Sequence, residues 1–433
     1  MNTHDTICLL NDSFPPQIDG VANAVCNYAR CITAQDGRAV VITPQYPDAD
    51  DSGWPYPVLR YPSIDLREKT GYFAGIPFSP ELAGFLEGEK VSLLHSHCPV
   101  ISTFMARQLR QITDAPLVLT YHTKFDIDIA NVIHSRLLQE GSRKILLENI
   151  NACDEVWTVS HGAGENLRSL GYSGEYVVMP NGVDTPRQRL SQAEIASVTG
   201  GYDLPEDIPV FLFVGRIMWY KGLRLLLDAL AGLVAAGEDF RMVFVGSGGD
   251  FDEVRDYAAQ CGLSPMCVFT GAVQDRQALR AWYCRADLFL FPSTFDTNGL
   301  VVREAAACSL PAVLIRGSCA AEDVTDGRNG FLVEENARSL RDCLLRLVRC
   351  RPQLRQVGEN AARELYISWE QAVSMARERY GVVIDRYKSG SYPPRRKPVE
   401  YFLKANGELM EDLGHLARLR DQLRQHVRDR FDF

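Results

Sequence analysis

The sequence predicts an α/β protein made of two doubly wound parallel-sheet (Rossmann-like) domains facing a cleft, followed by a C-terminal helical tail. Three observations predict this. The chain has 433 residues, beyond the size at which a single core stops growing. Short β-rich apolar runs alternate with amphipathic stretches, the pattern of βαβ units on a parallel sheet. The alternation pauses once near the middle and then resumes, so it describes two sheets. Hydrophobic residues make up 46% and charged residues 23%, the balance of a globular chain that can fill both cores.

In the first half the strands fall at 6–10, 39–43, 91–95, 117–121 and 155–159. Helices fit at 21–34, 100–111 and 131–151, where apolar residues recur every three to four positions. The pattern stops after Pro180-Asn181-Gly182-Val183-Asp184, and the polar stretch up to Asp207 reads as a linker. Strands resume at 210–214, 241–245, 267–270, 287–291 and 312–315, separated by helices starting near Gly222, Phe251, Asp275 and Gly299. The expected domains are 1–185, with 366–390 crossing back onto it, and 205–365. Open parallel sheets bind ligands at the carboxyl ends of their strands, so the chemistry is expected where the two sheets face each other.

Past Ser389 the run Ser391-Tyr392-Pro393-Pro394 breaks the chain, and 391–433 forms the tail. Leu409, Leu413, Leu416, Leu419, Leu423 and Val427 keep a helical spacing, with Arg418, Arg420, Arg424 and Arg428 between them. Such a helix suits packing against the protein or a second subunit, and equally peripheral contact with a membrane surface. The oligomeric state is left open.

A net charge of −9 excludes nucleic acid as the main partner, because phosphate backbones call for basic faces. Any anion site is therefore local. The 12 cysteines have irregular spacing and no paired C-x-x-C set, which fits reduced thiols in the cytoplasm. No secretion signal precedes the first strand, and no apolar run reaches the length of a membrane span.

The strongest chemical signal follows the strand ending at Phe291. Pro292-Ser293-Thr294-Phe295-Asp296-Thr297-Asn298-Gly299-Leu300 leads into Val301-Val302-Arg303-Glu304, so a loop delivers Asp296 and the next helix delivers Glu304. Gly299 permits close backbone approach, and the amides of Gly299, Leu300 and Val301 point out of a helix N-terminus, a place suited to a diphosphate. Glu304 is then within reach of ribose hydroxyls, and Asp296 of a sugar ring. Singly, Asp296 is an ordinary loop cap and Glu304 an ordinary surface residue. A second motif changes that balance: Phe213-Val214-Gly215-Arg216-Ile217 precedes Lys221-Gly222 at another strand end. Cations at a helix start oppose the helix dipole, so Arg216 and Lys221 point to a bound anion there and suit a departing diphosphate.

These residues, with Val245-Gly246-Ser247-Gly248, Gly271-Ala272-Val273, Ala286-Asp287 and Gly327-Arg328-Asn329-Gly330, resemble the GT-B glycosyltransferases of family 4 over nearly all of 5–390. In that family the first carboxylate of the E-x7-E motif is normally Glu; here it is Asp296, one methylene shorter. The resemblance implies a retaining, metal-independent transfer of a hexose from a UDP- or GDP-linked sugar, with no cofactor beyond that donor. Arg216 and Lys221 would hold the diphosphate and Glu304 the ribose. Gly215, Gly246 and Asn298 complete the expected donor contacts.

In the first domain, Asp12-Ser13-Phe14-Pro15-Pro16-Gln17-Ile18-Asp19-Gly20-Val21 is similar to the family's D-x-F-x-P-x-x-x-G-V segment, and Gly20 and Val21 can offer amides to a phosphate or sugar. His122, at a strand end, falls where the family places a histidine near the reacting carbon, and imidazole titrates near neutral pH. His95 and His97 lack a third ligand at a metal-binding spacing. Asp48-Ala49-Asp50 is ordinary turn composition. Gly246-Ser247-Gly248-Gly249 lacks the full dinucleotide glycine pattern. The N-terminal segment and Tyr121-His122-Thr123 look most like the subset that glucosylates diacylglycerol or related lipids, and the basic C-terminal helix suits an anionic membrane surface, so the expected acceptor is a lipid of that type or a glycan. A sugar-nucleotide-binding protein with little turnover is the alternative that Asp296 motivates. A phosphorylase of similar architecture is a third, for which no lysine-anchored cofactor site is visible.

Overall fold

The computed structural model describes residues 5–17, 19–125, 136–393 and 398–431. They fall into two compact units, Met1–Pro180 with Trp369–Phe433, and Asn181–Ser368.

The first unit runs β1 (Thr6–Leu10), α1 (Gly20–Ala34), β2 (Arg38–Pro44), β3 (Val58–Tyr61), β4 (Ser63–Asp65), α2 (Arg67–Thr70), β5 (Phe73–Gly75), α3 (Pro80–Glu87), β6 (Val91–Ser96), α4 (Ile101–Thr113), β7 (Leu117–Tyr121), α5 (Arg136–Asn151), β8 (Glu155–Thr158), α6 (His161–Ser169) and β9 (Val177–Val178). Its parallel sheet has the order β3-β2-β1-β6-β7-β8-β9. The central strands are buried along their whole length, as Thr-Ile-Cys-Leu-Leu of β1 shows, because helices cover both faces of a parallel sheet. The edge strands β3 and β9 are half-buried and short, which is why no apolar run announces them. The start of the helix expected at 131–151 lies outside the described residues.

The second unit comprises α7 (Gln192–Thr199), β10 (Val210–Val214), α8 (Leu223–Ala235), β11 (Arg241–Val245), α9 (Phe251–Gln260), β12 (Cys267–Gly271), α10 (Arg276–Arg285), β13 (Leu288–Phe291), α11 (Leu300–Ala307), β14 (Ala312–Ile315), β15 (Phe331–Val333), α12 (Ala337–Leu347) and α13 (Arg351–Glu364). Its sheet, β12-β11-β10-β13-β14-β15, is again parallel. The stretch read as a linker is corrected here. Ser191 and Glu194 form a capping box, α7 follows, and Ile195 is buried in the core of this unit with Leu190 and Val198 packed beside it. Only two of eight positions in α7 are buried, so its polarity hid it.

Two helices then return to the first unit: α14 (Trp369–Lys388) lies against α1, and α15 (Pro398–Phe431) against α3 and α4. The tail is therefore part of that unit's packing, through a face other than the leucine stripe. Leu403, Gly407, Met410 and Gly414 are buried, and a Cβ on Gly414 would lie 2.4 Å from the carbonyl oxygen of Pro80, so the helices cross at glycine contact. Glu400 accepts from Arg107 at 2.7 Å and Arg110 at 3.2 Å, a buried ion cluster that sets the register of α15 on α4. Leu409 and Leu416 stay 50% and 61% exposed, with Tyr401 and Phe402 at 64% and 63% on the same side. The side chains of Leu419, Leu423 and Val427 lie outside the described residues. No helix of the described residues is long and apolar enough to cross a membrane.

Candidate functional site

In the second unit the strand order reverses between β10 and β13, and open α/β sheets hold ligands outside the carboxyl ends of strands at such a point. The loops 215–222 and 292–299 emerge there, carrying most of the predicted donor residues. Gly215 and Gly246 join the loops after β10 and β11. Gly215 N donates to Val245 O at 3.0 Å and Ile217 N to Ser247 O at 3.0 Å. Gly246 has φ 142°, and a Cβ there would lie 1.9 Å from Gly215 O, so backbone packing alone demands glycine.

Lys221 is buried and its Nζ donates to Asp296 Oδ1 at 2.6 Å. The ammonium also lies 5.5 Å, 5.9 Å and 5.7 Å from the ring centroids of Tyr220, Phe291 and Phe295. The other oxygen of Asp296 accepts from Ser293 Oγ at 2.5 Å. Two motifs 75 residues apart thus meet in one ion pair, and both carboxylate oxygens of Asp296 are engaged. Arg216 is exposed and makes no ion pair among the described residues. A guanidinium with no protein partner at a ligand-binding edge is available to an anion.

Gly299 has φ 57° and begins α11, and a Cβ on it would press on Ala320 Cβ at 2.8 Å. No side chain caps α11 or α8, so their first-turn amides, those of Leu300 and Val301 included, keep their partial positive charge. Asn298 Nδ2 is buried and has no acceptor among the described residues. An unspent amide donor, two uncapped helix starts and a buried ammonium make this edge an anion cradle.

On α11, Glu304 Oε2 accepts from the Tyr283 hydroxyl at 2.9 Å. Burial raises the Glu304 carboxyl above its ordinary value, and the Tyr283 bond opposes that rise. The carboxylate consequently loses its charge earlier on acidification than an exposed one. If it accepts ribose hydroxyls, donor affinity falls on acidification at a higher pH than an ordinary carboxylate would give, and Glu304→Gln removes that dependence while weakening binding about tenfold to a hundredfold. Calorimetric titration of a nucleoside diphosphate from pH 5 to pH 8 measures both; a variant with wild-type affinity and pH profile would rule the role out.

Sequence reading missed Tyr283 and Ser293 as supports of Glu304 and Asp296. Ser293 lay in plain view beside Pro292, whereas nothing in the sequence links Tyr283 to a residue 21 positions away on another helix.

The first unit places Gly20, Val21 and His122 at the carboxyl edge of its own sheet. At the start of α1 the Val21 amide is already engaged: Asp19 Oδ1 accepts from the amides of Val21 and Ala22, both at 2.8 Å, and Ser13 Oγ donates to its other oxygen at 2.6 Å. A carboxylate already occupies the start of α1, and Asp before Gly-Val is an N-cap signature. His122 Nε2 bonds His97 Nδ1 at 3.0 Å, while His95 bonds Tyr380 at 2.6 Å and Thr120 at 2.7 Å. Burial pushes His122 down to about 3 and holds His95 and His97 well below the usual imidazole range. The expectation that His122 titrates near neutral pH is therefore corrected; it is a neutral hydrogen-bonding group there. Asp50 caps a turn by accepting from Ser52 N at 3.0 Å. Among the described residues no group of three or more His, Cys, Asp or Glu is placed to hold a metal.

Comparison with known proteins bears on both units. Residues 18–187 match the model of Glycosyltransferase Family 4, and 200–364 that of Glycosyl transferases group 1. A GDP-mannose-dependent alpha-mannosyltransferase of Corynebacterium glutamicum is 25% identical over 338 residues, 76% of each chain. An alpha-monoglucosyldiacylglycerol synthase of Streptococcus pneumoniae is 21% identical over 319 residues, 71% of this chain and 70% of that one. Among solved structures, sucrose-phosphate synthase of Thermosynechococcus elongatus has a TM-score of 0.70 at 20% identity, covering 88% of this chain and 99% of that one. Anabaena HepE in complex with UDP-glucose has a TM-score of 0.68 at 19% identity, covering 88% and 100%. Two parallel-sheet units matched in order by these two models leave one conclusion: the chain belongs to the group 1 glycosyltransferases, family 4, and has the GT-B fold.

Proposed function

We propose that the chain is a retaining hexosyltransferase that moves a sugar from a UDP- or GDP-linked donor to a hydroxyl of a lipid, of the diacylglycerol type, or of a glycan. The observation that carries the donor half is the anion cradle of the second unit: buried Lys221, unpartnered Arg216 and the uncapped start of α11 at one sheet edge. The relatives named for GDP-mannose and for monoglucosyldiacylglycerol support the donor and acceptor classes. In the transfer, the bond from sugar C1 to the phosphate oxygen breaks, Lys221, Arg216 and the α11 amides take up the negative charge that develops, and the acceptor oxygen bonds C1 on the same face. The acceptor proton passes to the departing phosphate oxygen, so no metal, protein base or further cofactor is required. His122, neutral, orients a sugar or acceptor hydroxyl. The exposed apolar side of α15, with Tyr401, Phe402, Leu409 and Leu416, supports peripheral membrane contact, and twelve cysteines outside any disulfide support a cytoplasmic site of action.

The engagement of both Asp296 oxygens favours one other reading, a sugar-nucleotide-binding protein with little turnover. A panel of UDP-, GDP- and ADP-hexoses, assayed with and without lipid extract, separates them. Transfer predicts thermal stabilisation by one nucleotide class, about 2.7 kcal/mol at a hundredfold excess over Kd, together with release of nucleoside diphosphate. Stabilisation without release favours the binding protein, and neither effect with any donor defeats both.

A further inference from the structure

Beside His122 lies a second histidine to which the transfer scheme gives no task. His97 follows β6 and His122 follows β7, neighbouring strands of the first sheet, so the two residues reach its carboxyl edge together. His97 N donates to Leu10 O at 2.8 Å, which ties this residue to the end of β1 as well. The two imidazoles are stacked, with centroids 5.2 Å apart, and are joined by the bond between His97 Nδ1 and His122 Nε2. The ring of His95, fixed at both nitrogens by Tyr380 and Thr120, lies 4.0 Å from that of His97, and the ring of Tyr28 meets it at 5.1 Å. His97 is 1% exposed, so close packing holds its ring in place.

Burial keeps both rings neutral, so each carries a single N–H, and the shared bond needs one donor and one acceptor. Two assignments satisfy it. In the first, His122 donates from Nε2 and His97 keeps its proton on its own Nε2, where that N–H has no acceptor among the described residues. In the second, His97 donates from Nδ1 and its Nε2 is a bare lone pair. Buried N–H groups without an acceptor are rarer than buried acceptors without a donor, which favours the second. The Tyr28 hydroxyl favours it too. That group is buried with no partner among the described residues, on a ring that touches His97, and its proton needs an acceptor; a bare Nε2 can serve as one and an Nε2–H cannot.

We infer that His97 is a positioning residue that fixes His122 with its ring proton on Nδ1. The one ring nitrogen of His122 not joined to His97 is then a donor, so His122 offers the sugar or acceptor an N–H and takes no proton from the acceptor hydroxyl. This rests on the proposal that His122 orients a hydroxyl, and it specifies the polarity of that contact.

The test labels the histidine ring nitrogens of the full chain with nitrogen-15 and records two-bond proton–nitrogen correlations at pH 7.5 without ligand, using His122→Gln to assign the signals. The expected spectrum places the His122 proton on Nδ1, the form that free histidine disfavours. His97→Asn, which supplies an amide N–H in place of Nδ1, keeps that form; His97→Ala, which supplies none, returns His122 to the ordinary Nε2–H form. In transfer or donor hydrolysis, kcat falls about tenfold or more in His97→Ala and stays within about threefold of the wild type in His97→Asn, with the donor KM within about threefold in both. A His97 that merely filled space would leave the tautomer of His122 unmoved in either variant. A His122 proton on Nε2 in the wild type, or a kcat of His97→Ala equal to that of the wild type, overturns the inference. The spectrum is read on the unliganded chain, so it decides the matter where no donor turns over, and the lack of turnover then counts against the transferase reading alone.

Discussion

Replacing Lys221 by alanine is expected to lower transfer about a thousandfold, the scale seen when a buried donor to developing negative charge is removed. The ammonium is almost wholly buried among Tyr220, Phe291 and Phe295, where a charge acts with little screening. It is held by Asp296, so the single substitution also leaves a carboxylate without its partner. Stability and catalysis can be told apart by pairing the changes. Lys221→Met lowers the melting temperature, Lys221→Met with Asp296→Asn recovers most of the loss because no orphaned charge remains, and transfer stays low in both. Arg216→Ala is the cleaner companion, because Arg216 makes no hydrogen bond or ion pair among the described residues: activity falls and the melting temperature does not move. If Lys221→Met with Asp296→Asn retains more than a tenth of the wild-type rate, the role given to Lys221 is wrong.

The second large effect is on stability. His95, His97 and His122 sit together in the first unit, and burial holds all three below the imidazole value of 6.5. Their native pKa values are depressed, so below 6.5 the unfolded chain binds protons that the native chain does not. Stability contributed at neutral pH is then lost as pH falls, at roughly 1.4 kcal/mol per histidine per pH unit once below 6.5. Three histidines give roughly 4 kcal/mol per unit, a large part of an ordinary domain's stability. Acidification to pH 5.5 is expected to open Met1–Pro180 with Trp369–Phe433 before Asn181–Ser368. Hydrogen exchange read by mass spectrometry, which reports peptides of each unit, measures this directly. His122→Asn would flatten the slope by about a third. Equal loss of protection in the two units would show that the histidine cluster does not govern the transition.

Much of the fold was legible because its determinants are local. The fully buried strands β1, β7, β10 and β14 are continuous apolar runs, which a parallel sheet covered on both faces requires. The half-buried edge strands β3 and β9 and the polar helix α7 escaped notice because one-sided burial leaves little mark on composition. The leucine stripe of the tail misled for a related reason: helical periodicity marks an apolar face without saying what covers it, and α15 packs through Leu403, Gly407, Met410 and Gly414 instead.

By itself the sequence determined the two-sheet plan, and it made legible the candidate donor loops with Arg216, Lys221, Asp296, Gly299 and Glu304, since these rest on residue type and on position at strand ends. Only the tertiary structure decided which groups are spent on one another. It joined Lys221 to Asp296 and Tyr283 to Glu304, filled the start of α1 with Asp19 and that of α4 with Asp12, and made three histidines neutral. The physical reason is that charge state and hydrogen-bond occupancy depend on burial and on partners brought from distant segments, and neither quantity is carried by neighbours in the chain.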